Sequence, residues 1–433
     1  VVGAAVTAHI RTGRAVPGNR WDLLDGIRPD VAPTVSVIIA HYRQPEQLAR
    51  LLHALGRQAF PADRVEIIVV DDGSPEPPVV PCGVRLLVQA DAGFRLAAAR
   101  NLGAAAARNE ILVFLDADTT PEPDYLGQIT RLPALAFDSV TVGRRKHADL
   151  AMVPTTSPIE IAGPRHELED PFWLVDAYRQ SRNLLDLNCR SYRYLIGAVL
   201  ACSRRFFAET GGFDDSFDQY GGEDWEWGYR AWLLGAVIAH VPEAVAWHDG
   251  ADRAGREPGA LSAKNAETLR LIDLIPVPGS RGRGLPADRV DILVTGPGAD
   301  ATEAQAFVSM DSALAALPRS SATFADSGAV LPIASEQEKF DRVRLEFVLE
   351  RPVRISPGAL APVLTAVESG DYHEVLVRDA NGTLLLRACS RRETARQRRW
   401  GPDALLPALE LGDLPGITEL VTEIDLEAYL GGW

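Results

Sequence analysis

Between residues 35 and 118, short apolar runs alternate with helical periodicity, and this alternation restricts the fold more than any other feature. Val35-Ser-Val-Ile-Ile-Ala40 reads as a buried strand. Leu48, Leu51, Leu52 and Leu55 then recur at i, i+3, i+4, i+7, which is one face of a helix. Residues 65–70, 84–88 and 111–115 read as three further strands, with an Ala-rich helix from about Phe94 to Ala107 before the last. Strand, helix, strand, helix predicts an α/β fold, a mostly parallel sheet flanked by crossover helices. In open sheets of this kind ligands sit outside the carboxyl ends of the strands. Asp71-Asp72-Gly73-Ser74 ends one strand and Asp116-Ala117-Asp118 ends another. Both acidic clusters are therefore expected at one shared site.

Residues 144–193 are less periodic. Tyr194 to Cys202 reads as a strand, and Gly221-Gly222-Glu223-Asp224 as a loop opening into a Trp-rich helix. Ala236–Ala239 and Ala244–His248 read as two short strands. Pro276 and Pro278 punctuate the chain, and a boundary is expected near Pro286. The resulting division is an N-terminal extension at 1–32, a first domain at 33–275, a linker at 276–286 and a second, smaller α/β C-terminal domain at 287–433. In that last part, 290–295 and 343–349 read as strands and 302–317 and 357–367 as helices. Asp379-Ala-Asn-Gly382 reads as a hairpin turn. No acidic doublet caps its strands, so it is expected to be non-catalytic. The segment from Asp249 to Lys264, with Arg253 and Arg256, reads as a basic loop able to close over a bound diphosphate.

At 433 residues two domains are expected. Lys and Arg number 44 against 59 Asp and Glu, a net charge of −15, which argues against a general nucleic-acid binder. No apolar run approaches the ~20 residues of a membrane-spanning helix. Val1 to Ile10 lacks a basic start and makes a poor signal peptide. Cys82, Cys189, Cys202 and Cys389 form no CxxC pair and fit a reducing compartment, so a cytoplasmic location is expected. Peripheral membrane attachment and self-association stay open.

The acidic clusters carry the chemistry. On an extended segment Asp116 and Asp118 project to one side, a seat for Mg²⁺ or Mn²⁺, which prefer oxygen ligands. Surface acid is the bland alternative. Asp72 is either part of a turn or the acceptor for a base imide N–H. Arg100 on the following helix can pair with Asp72 or with phosphate. Glu223 and Asp224 are either a helix cap or a general base beside a sugar. Trp225 and Trp227 are either core or aromatic faces for that sugar. His248 is either structural or a neutral third ligand beside two carboxylates.

Together, Val35-Ser-Val-Ile-Ile, Val69-Val-Asp-Asp-Gly-Ser74, Ala99-Arg-Asn-Leu-Gly103 and Phe114-Leu-Asp-Ala-Asp118 resemble a glycosyltransferase of the GT-A fold, family 2. Tyr194-Leu-Ile-Gly197, Gly211 to Phe217, Gly221-Gly-Glu-Asp224 and Ala246-Trp-His248 look like the carboxyl half of chondroitin-polymerase-type and β-1,4-galactosyltransferase-like enzymes. The resemblance covers about residues 33–275. It implies a hexosyltransferase that takes a nucleotide-sugar donor, a UDP-sugar, and a carbohydrate, glycoconjugate or small-molecule acceptor. It makes His41, Tyr42, Asp72, Arg100 and Asp116 contacts to the donor nucleotide. Asp118 becomes the main ligand of Mn²⁺ or Mg²⁺, assisted by Asp116 and His248. Asp224 becomes the base, with Glu223 beside it and Trp225 and Trp227 toward the acceptor. GGED, with Asp where configuration-retaining relatives resemble GGEN, implies inversion. The strand–helix order of 287–433 resembles a degenerate second GT-A unit. A nucleotidyltransferase of similar fold and a non-catalytic sugar-binding module are the rival readings; the loop Ala40–Pro45 lacks the Gly the former needs.

Overall fold

The computed structural model describes residues 13–219, 221–251, 260–280, 288–298, 300–317, 320–323, 337–404 and 406–431. Arg253 and Arg256 of the basic loop, residues 1–12 of the extension and 281–286 of the linker lie outside these residues. The chain divides into two compact units, each assembled from several runs: 1–186, 194–219 and 236–254 in the first, and 187–193, 220–235 and 255–433 in the second.

The first unit is built on nine strands: β1 (Val35–His41), β2 (Val65–Asp71), β3 (Val84–Val88), β4 (Ile111–Asp116), β5 (Thr119–Pro121), β6 (Ser139–Ala148), β7 (Glu167–Leu168), β8 (Val199–Ser203) and β9 (Val237–Asp249). The order is β3-β2-β1-β4-β8-β6-β9-β5, with β7 beside β6. The β3-β2-β1-β4 half is parallel, as the strand–helix alternation requires. Beyond β4 the sheet turns mixed, because β8 returns antiparallel against both β4 and β6 while β6 and β9 run parallel. The continuous apolar runs follow from burial on both faces: all of β1 is buried, and so are residues 111–115 of β4. Helix Pro45–Leu55 starts with Pro in its first turn and buries Leu48, Leu51 and Leu55, as their spacing predicts. Helix Leu96–Ala106 sits so close to β1 that a side chain at Gly103 would collide with Ile38.

Two expected strands at 236–239 and 244–248 are one, β9. Gly143 of β6 pairs with Val241, but Arg144 pairs with Val245, so residues 242–244 bulge out of the ladder. Pro242 has no N–H to give the ladder, which is why the apolar pattern breaks there while the strand continues. The strand expected at 194–202 starts only at Val199, since Tyr194 belongs to a 3₁₀ turn and the Val199 N–H closes a further turn onto the Ile196 carbonyl. Within the described part of the N-terminal extension, Asn19 ties itself to β9: its amide donates to the carbonyls of Leu184 and Ile238 and accepts from the Ile238 N–H.

The second unit holds a six-stranded sheet of β10 (Ile292–Thr295), β11 (Ser320–Thr323), β12 (Leu345–Leu349), β14 (Glu374–Arg378), β15 (Leu384–Ser390) and β16 (Ala408–Gly412) in the order β11-β10-β12-β15-β14-β16. β13 (Val353–Ile355) pairs separately with β17 (Ile417–Glu419). β14 and β15 form the hairpin expected around Asp379–Gly382. Helix Glu303–Ala316 opens on a capping box of Thr302 and Gln305. Helix Ala361–Glu368 begins four residues later than the pattern suggests, with Pro362 in its first turn. Helix Glu223–Leu233 also belongs to this unit. No helix among the described residues is long and apolar enough to cross a membrane.

Candidate active site

In the first unit the carboxyl ends of β1, β2 and β4 and the far end of β9 bring the acidic residues together. His41 ends β1 and is 4% exposed. Its Nδ1 lies 2.7 Å from Asp71 Oδ1, and its Nε2 accepts from the Gln44 N–H at 3.2 Å. Both ring nitrogens are thus engaged, and His41 fixes the turn instead of presenting a donor to solvent. Asp71 also accepts from the backbone N–H and hydroxyl of Ser74. Tyr42, 39% exposed, carries its ring outward with the Arg43 guanidinium 4.8 Å from the ring centroid.

Asp72 is buried and accepts from the Gln89 side chain and, at 2.9 Å, from the Arg95 N–H. A carboxylate offers about four lone-pair sites, so it retains capacity for a further donor. Arg100 is 2% exposed and donates to Asp116 Oδ1 at 2.8 Å, with its guanidinium 5.5 Å from the Phe213 ring centroid. Gly197 makes room for it: a Cβ there would stand 2.7 Å from Arg100 Nη1. Arg100 therefore answers Asp116, not Asp72.

The same-side expectation for Asp116 and Asp118 is corrected by the backbone. β4 ends at Asp116 and residues 117–118 turn, so the strand argument no longer applies. Asp118 looks elsewhere. Its Oδ2 accepts from Gln44 Nε2 at 3.1 Å and lies 3.6 Å from His248 Nε2. That gap is too long for a hydrogen bond. It suits two ligands of one cation, since groups ~2.1 Å from Mg²⁺ stand ~3–4 Å apart. His248 is oriented for the role: Nδ1 faces the Gly250 carbonyl at 3.1 Å, so Nδ1 carries the proton and Nε2 presents its lone pair to Asp118. Burial holds the imidazole below its ordinary value, against the pull of Asp118, which keeps it neutral. No group of three or more His, Cys, Asp or Glu gathers into a ready-made cage among the described residues. A two-residue seat leaves the remaining positions to substrate phosphates and water, which is usual for Mg²⁺-type sites.

In the second unit, Glu223 and Asp224 open helix Glu223–Leu233 after Gly221 and Gly222, whose φ values of +93° and +95° favour glycine. Glu223, Asp224 and Glu226 in the first turn complement the positive end of the helix dipole. Asp224 is half-buried and its Oδ1 accepts from the Trp225 N–H at 2.8 Å. Trp225 is half-buried, with Tyr192 against its edge and Lys264 Nζ 4.4 Å from the ring centroid. Trp227 is fully buried, so its expected contact with an acceptor is corrected to a core role. Residues two apart on a helix diverge by about 200°, so the two indoles cannot share a face.

Gln44 and Gln89 are site residues that the sequence reading passed over, and neither left a signal. Gly197 was read only as part of the Tyr194–Gly197 motif, and its role in seating Arg100 is seen only in the structure.

Residues 36–170 match the family model described as glycosyl transferase family 2. Residues 182–247 match a second model, described as the N-terminal domain of galactosyltransferase. The chondroitin synthase of Escherichia coli is 28% identical over 60% of this chain and 41% of its own length. The validoxylamine A glucosyltransferase of Streptomyces hygroscopicus subsp. jinggangensis is 30% identical over 46% of this chain and 51% of its own. The chain thus spans about half or less of the length of these curated relatives. Among solved structures, GalNAc-T7 crystallised with UDP, GalNAc and Mn²⁺ aligns with a TM-score of 0.40 and 19% identity over 56% of this chain and 48% of that one. The chain thus carries a glycosyl transferase family 2 domain over residues 36–170 and a galactosyltransferase-like segment over residues 182–247, and its homologues are glycosyltransferases.

Proposed function

We propose that this chain moves a sugar from a UDP-sugar to a hydroxyl of a carbohydrate, glycoconjugate or small-molecule acceptor, with inversion at the anomeric carbon. One observation carries the reading: Asp118 and a neutral His248 face each other across 3.6 Å at the end of the sheet that carries the family match. Asp118 and His248 would hold Mn²⁺ or Mg²⁺, which when bound supplies positive charge for the diphosphate leaving group. Asp72 takes the imide N–H of the base, Tyr42 offers its exposed ring for stacking, and His41 holds the turn that aims them. Arg100, clamped on Asp116, fixes the carboxylate beside the diphosphate and adds fixed positive charge. Asp224 is the base that takes the acceptor proton, with Glu223 beside it and Trp225 toward the acceptor. Such a base contributes ~10²–10⁴-fold. The four free thiols fit a reducing compartment, and the cytoplasm is the proposed place of action.

The test is a panel of UDP-sugars with Mn²⁺, read by released UDP and then repeated with a chelator. Turnover that survives chelation removes the cation from the reading. Asp224→Asn should lower turnover by about 10²–10⁴-fold with UDP affinity unchanged; wild-type turnover in that variant removes Asp224 as base.

A further inference from the structure

Three cations stand in a row on β6, and they are not treated alike. Arg144 faces Asp170 at 3.9 Å. Lys146 meets Glu167 at 2.5 Å and lies over the Trp247 ring, 4.6 Å from its centroid. Arg145, between them, makes no hydrogen bond or ion pair among the described residues. It is half-buried, and its Nε is shielded from water without a partner. A guanidinium in that position stays costly until an anion answers it. The chain carries 59 acidic side chains against 44 basic ones, yet none of those described is placed here.

The pleat separates Arg145 from its two neighbours. Beyond the bulge, Arg145 pairs with Ala246 and His147 with His248. Residues two apart project to one side, so Arg145 shares a face with His147 and His248, while Arg144 and Lys146 lie on the other with Trp247. The ring contacts agree, since His147 and His248 have centroids 5.2 Å apart and Lys146 covers Trp247. His248 shows where the first face looks: its Nε2 stands 3.6 Å from Asp118 Oδ2. Topology gives the same direction. Only residues 117–118 join β4 to β5, yet β8, β6 and β9 lie between them in the sheet order. The sheet therefore curls back around the Asp116–Asp118 turn, with β6 in the middle of the curl. Burial lowers the His248 imidazole against the pull of Asp118, and the Arg145 charge lowers it further, so the guanidinium is felt at the cation seat. Asp116 on this side is already met by Arg100, and Arg145 closes onto neither carboxylate.

We propose that Arg145 is a donor-binding residue that takes an oxyanion of the diphosphate beside the Asp118–His248 seat. A diphosphate has oxygens enough to meet a hard cation on one side and a guanidinium fork on the other. The word donor rests on the sugar-transfer reading above; affinity for a diphosphate does not. The test is calorimetry with Mg²⁺ and three probes: UDP, uridine, which lacks the phosphates, and inorganic pyrophosphate, which lacks the nucleoside. In Arg145→Gln the affinities for UDP and pyrophosphate should fall at least about tenfold, the usual scale of a charge-assisted pair. Uridine should stay within about twofold. Arg145→Lys, which keeps the charge but loses the fork, should fall between. Arg144→Gln, on the other face, should bind all three as the wild type does. The proposal is overturned if Arg145→Gln binds UDP and pyrophosphate like the wild type, or if uridine weakens as much as UDP, which marks a structural role. An equal loss in Arg144→Gln also overturns it, because the effect is then diffuse charge. Should Arg145→Gln lose its fold by urea titration, the split between UDP and uridine is read in Arg145→Lys, and its absence there is fatal. Pyrophosphate bound through Arg145 by a chain that turns over no UDP-sugar would sink the transferase reading alone. Turnover of a UDP-sugar with diphosphate affinity indifferent to Arg145 would sink this proposal alone.

Discussion

Asp118 shows how one side chain is defined by what surrounds it. Gln44 holds one oxygen, and His248 stands at ligand distance from the same atom. Asp118→Asn keeps the shape and the acceptor oxygen but loses the charge. Its affinity for UDP with Mn²⁺ should fall at least about tenfold while urea midpoints hold, because a hard cation needs an anionic oxygen here; unchanged affinity by calorimetry would refute the assignment. His240 makes a prediction of another kind. Its folded-state value of about 3 lies below the ordinary 6.5, so below pH 6.5 the unfolded chain binds a proton that the folded chain refuses. Stability from this residue is complete above pH 6.5 and is lost as pH falls toward 3. Between pH 7.5 and pH 5 the loss should be about 2 kcal/mol. Urea titrations of wild type and His240→Gln should differ in slope over that window; parallel curves would show that the imidazole titrates freely. At this scale the sequence disclosed the acidic residues, because Asp after an apolar run is a local pattern. It did not disclose Gln44 opposite Asp118, or Asn183 beside His240. Those partners lie 74 and 57 residues apart and share no spacing rule.

Helix Glu223–Leu233 is held at both its side and its end. Glu226 is fully buried and is met by Arg230 from the next turn and by Arg342 at 2.8 Å. At the carboxyl end, Arg392, Arg396 and Arg399 donate to the carbonyls of Trp232, Gly235 and Leu234, placing positive charge where the helix dipole is negative. Arg392 and Arg396 of the Arg-rich run 391–399 are buried in this cap. Glu226→Gln should cost about 3 kcal/mol by denaturant titration, since it leaves buried Arg342 with only the adjacent, exposed Asp341 at 3.2 Å to answer its charge. Glu226→Leu combined with Arg342→Leu should recover most of that loss, because removing both charges also removes their desolvation cost. If the double variant is as unstable as Glu226→Gln, packing and not charge holds this helix. The β9 bulge teaches the matching lesson for strands. A short apolar run was legible on either side of Pro242, but the continuity of the strand through it depends on its pairing with β6, which no local pattern encodes.

For the whole molecule, the alternation of strand and helix from 35 to 118 was enough to name an α/β sheet and the end at which its acids gather. Composition located the Pro- and Gly-rich stretch near 276–286. Contacts divide the chain differently, since the second unit takes helix Glu223–Leu233 along with residues 255–433. The interactions of that helix make the difference testable. Residues 287–433 supply Arg342 to Glu226, Arg396 to the Gly235 carbonyl and the Arg342 carbonyl to the Tyr229 hydroxyl at 3.2 Å. Arg396 is itself fully buried. A chain cut at 286 would leave Glu226 with one arginine, the end of the helix uncapped, and Tyr229 and Trp232 open to water. Baring two such aromatics forfeits several kcal/mol on its own, at roughly 2–3 kcal/mol each, against a total stability of about 5–15 kcal/mol. Residues 1–286 alone are therefore expected to unfold without cooperativity at the helix and to be nicked by protease within 220–235. The intact chain should resist cleavage there. Adding 287–433 in trans should restore protection if the contacts, and not the covalent link, are what the helix needs. A 1–286 fragment that unfolds in one sharp transition with that helix protected would show that the chain breaks cleanly at 286.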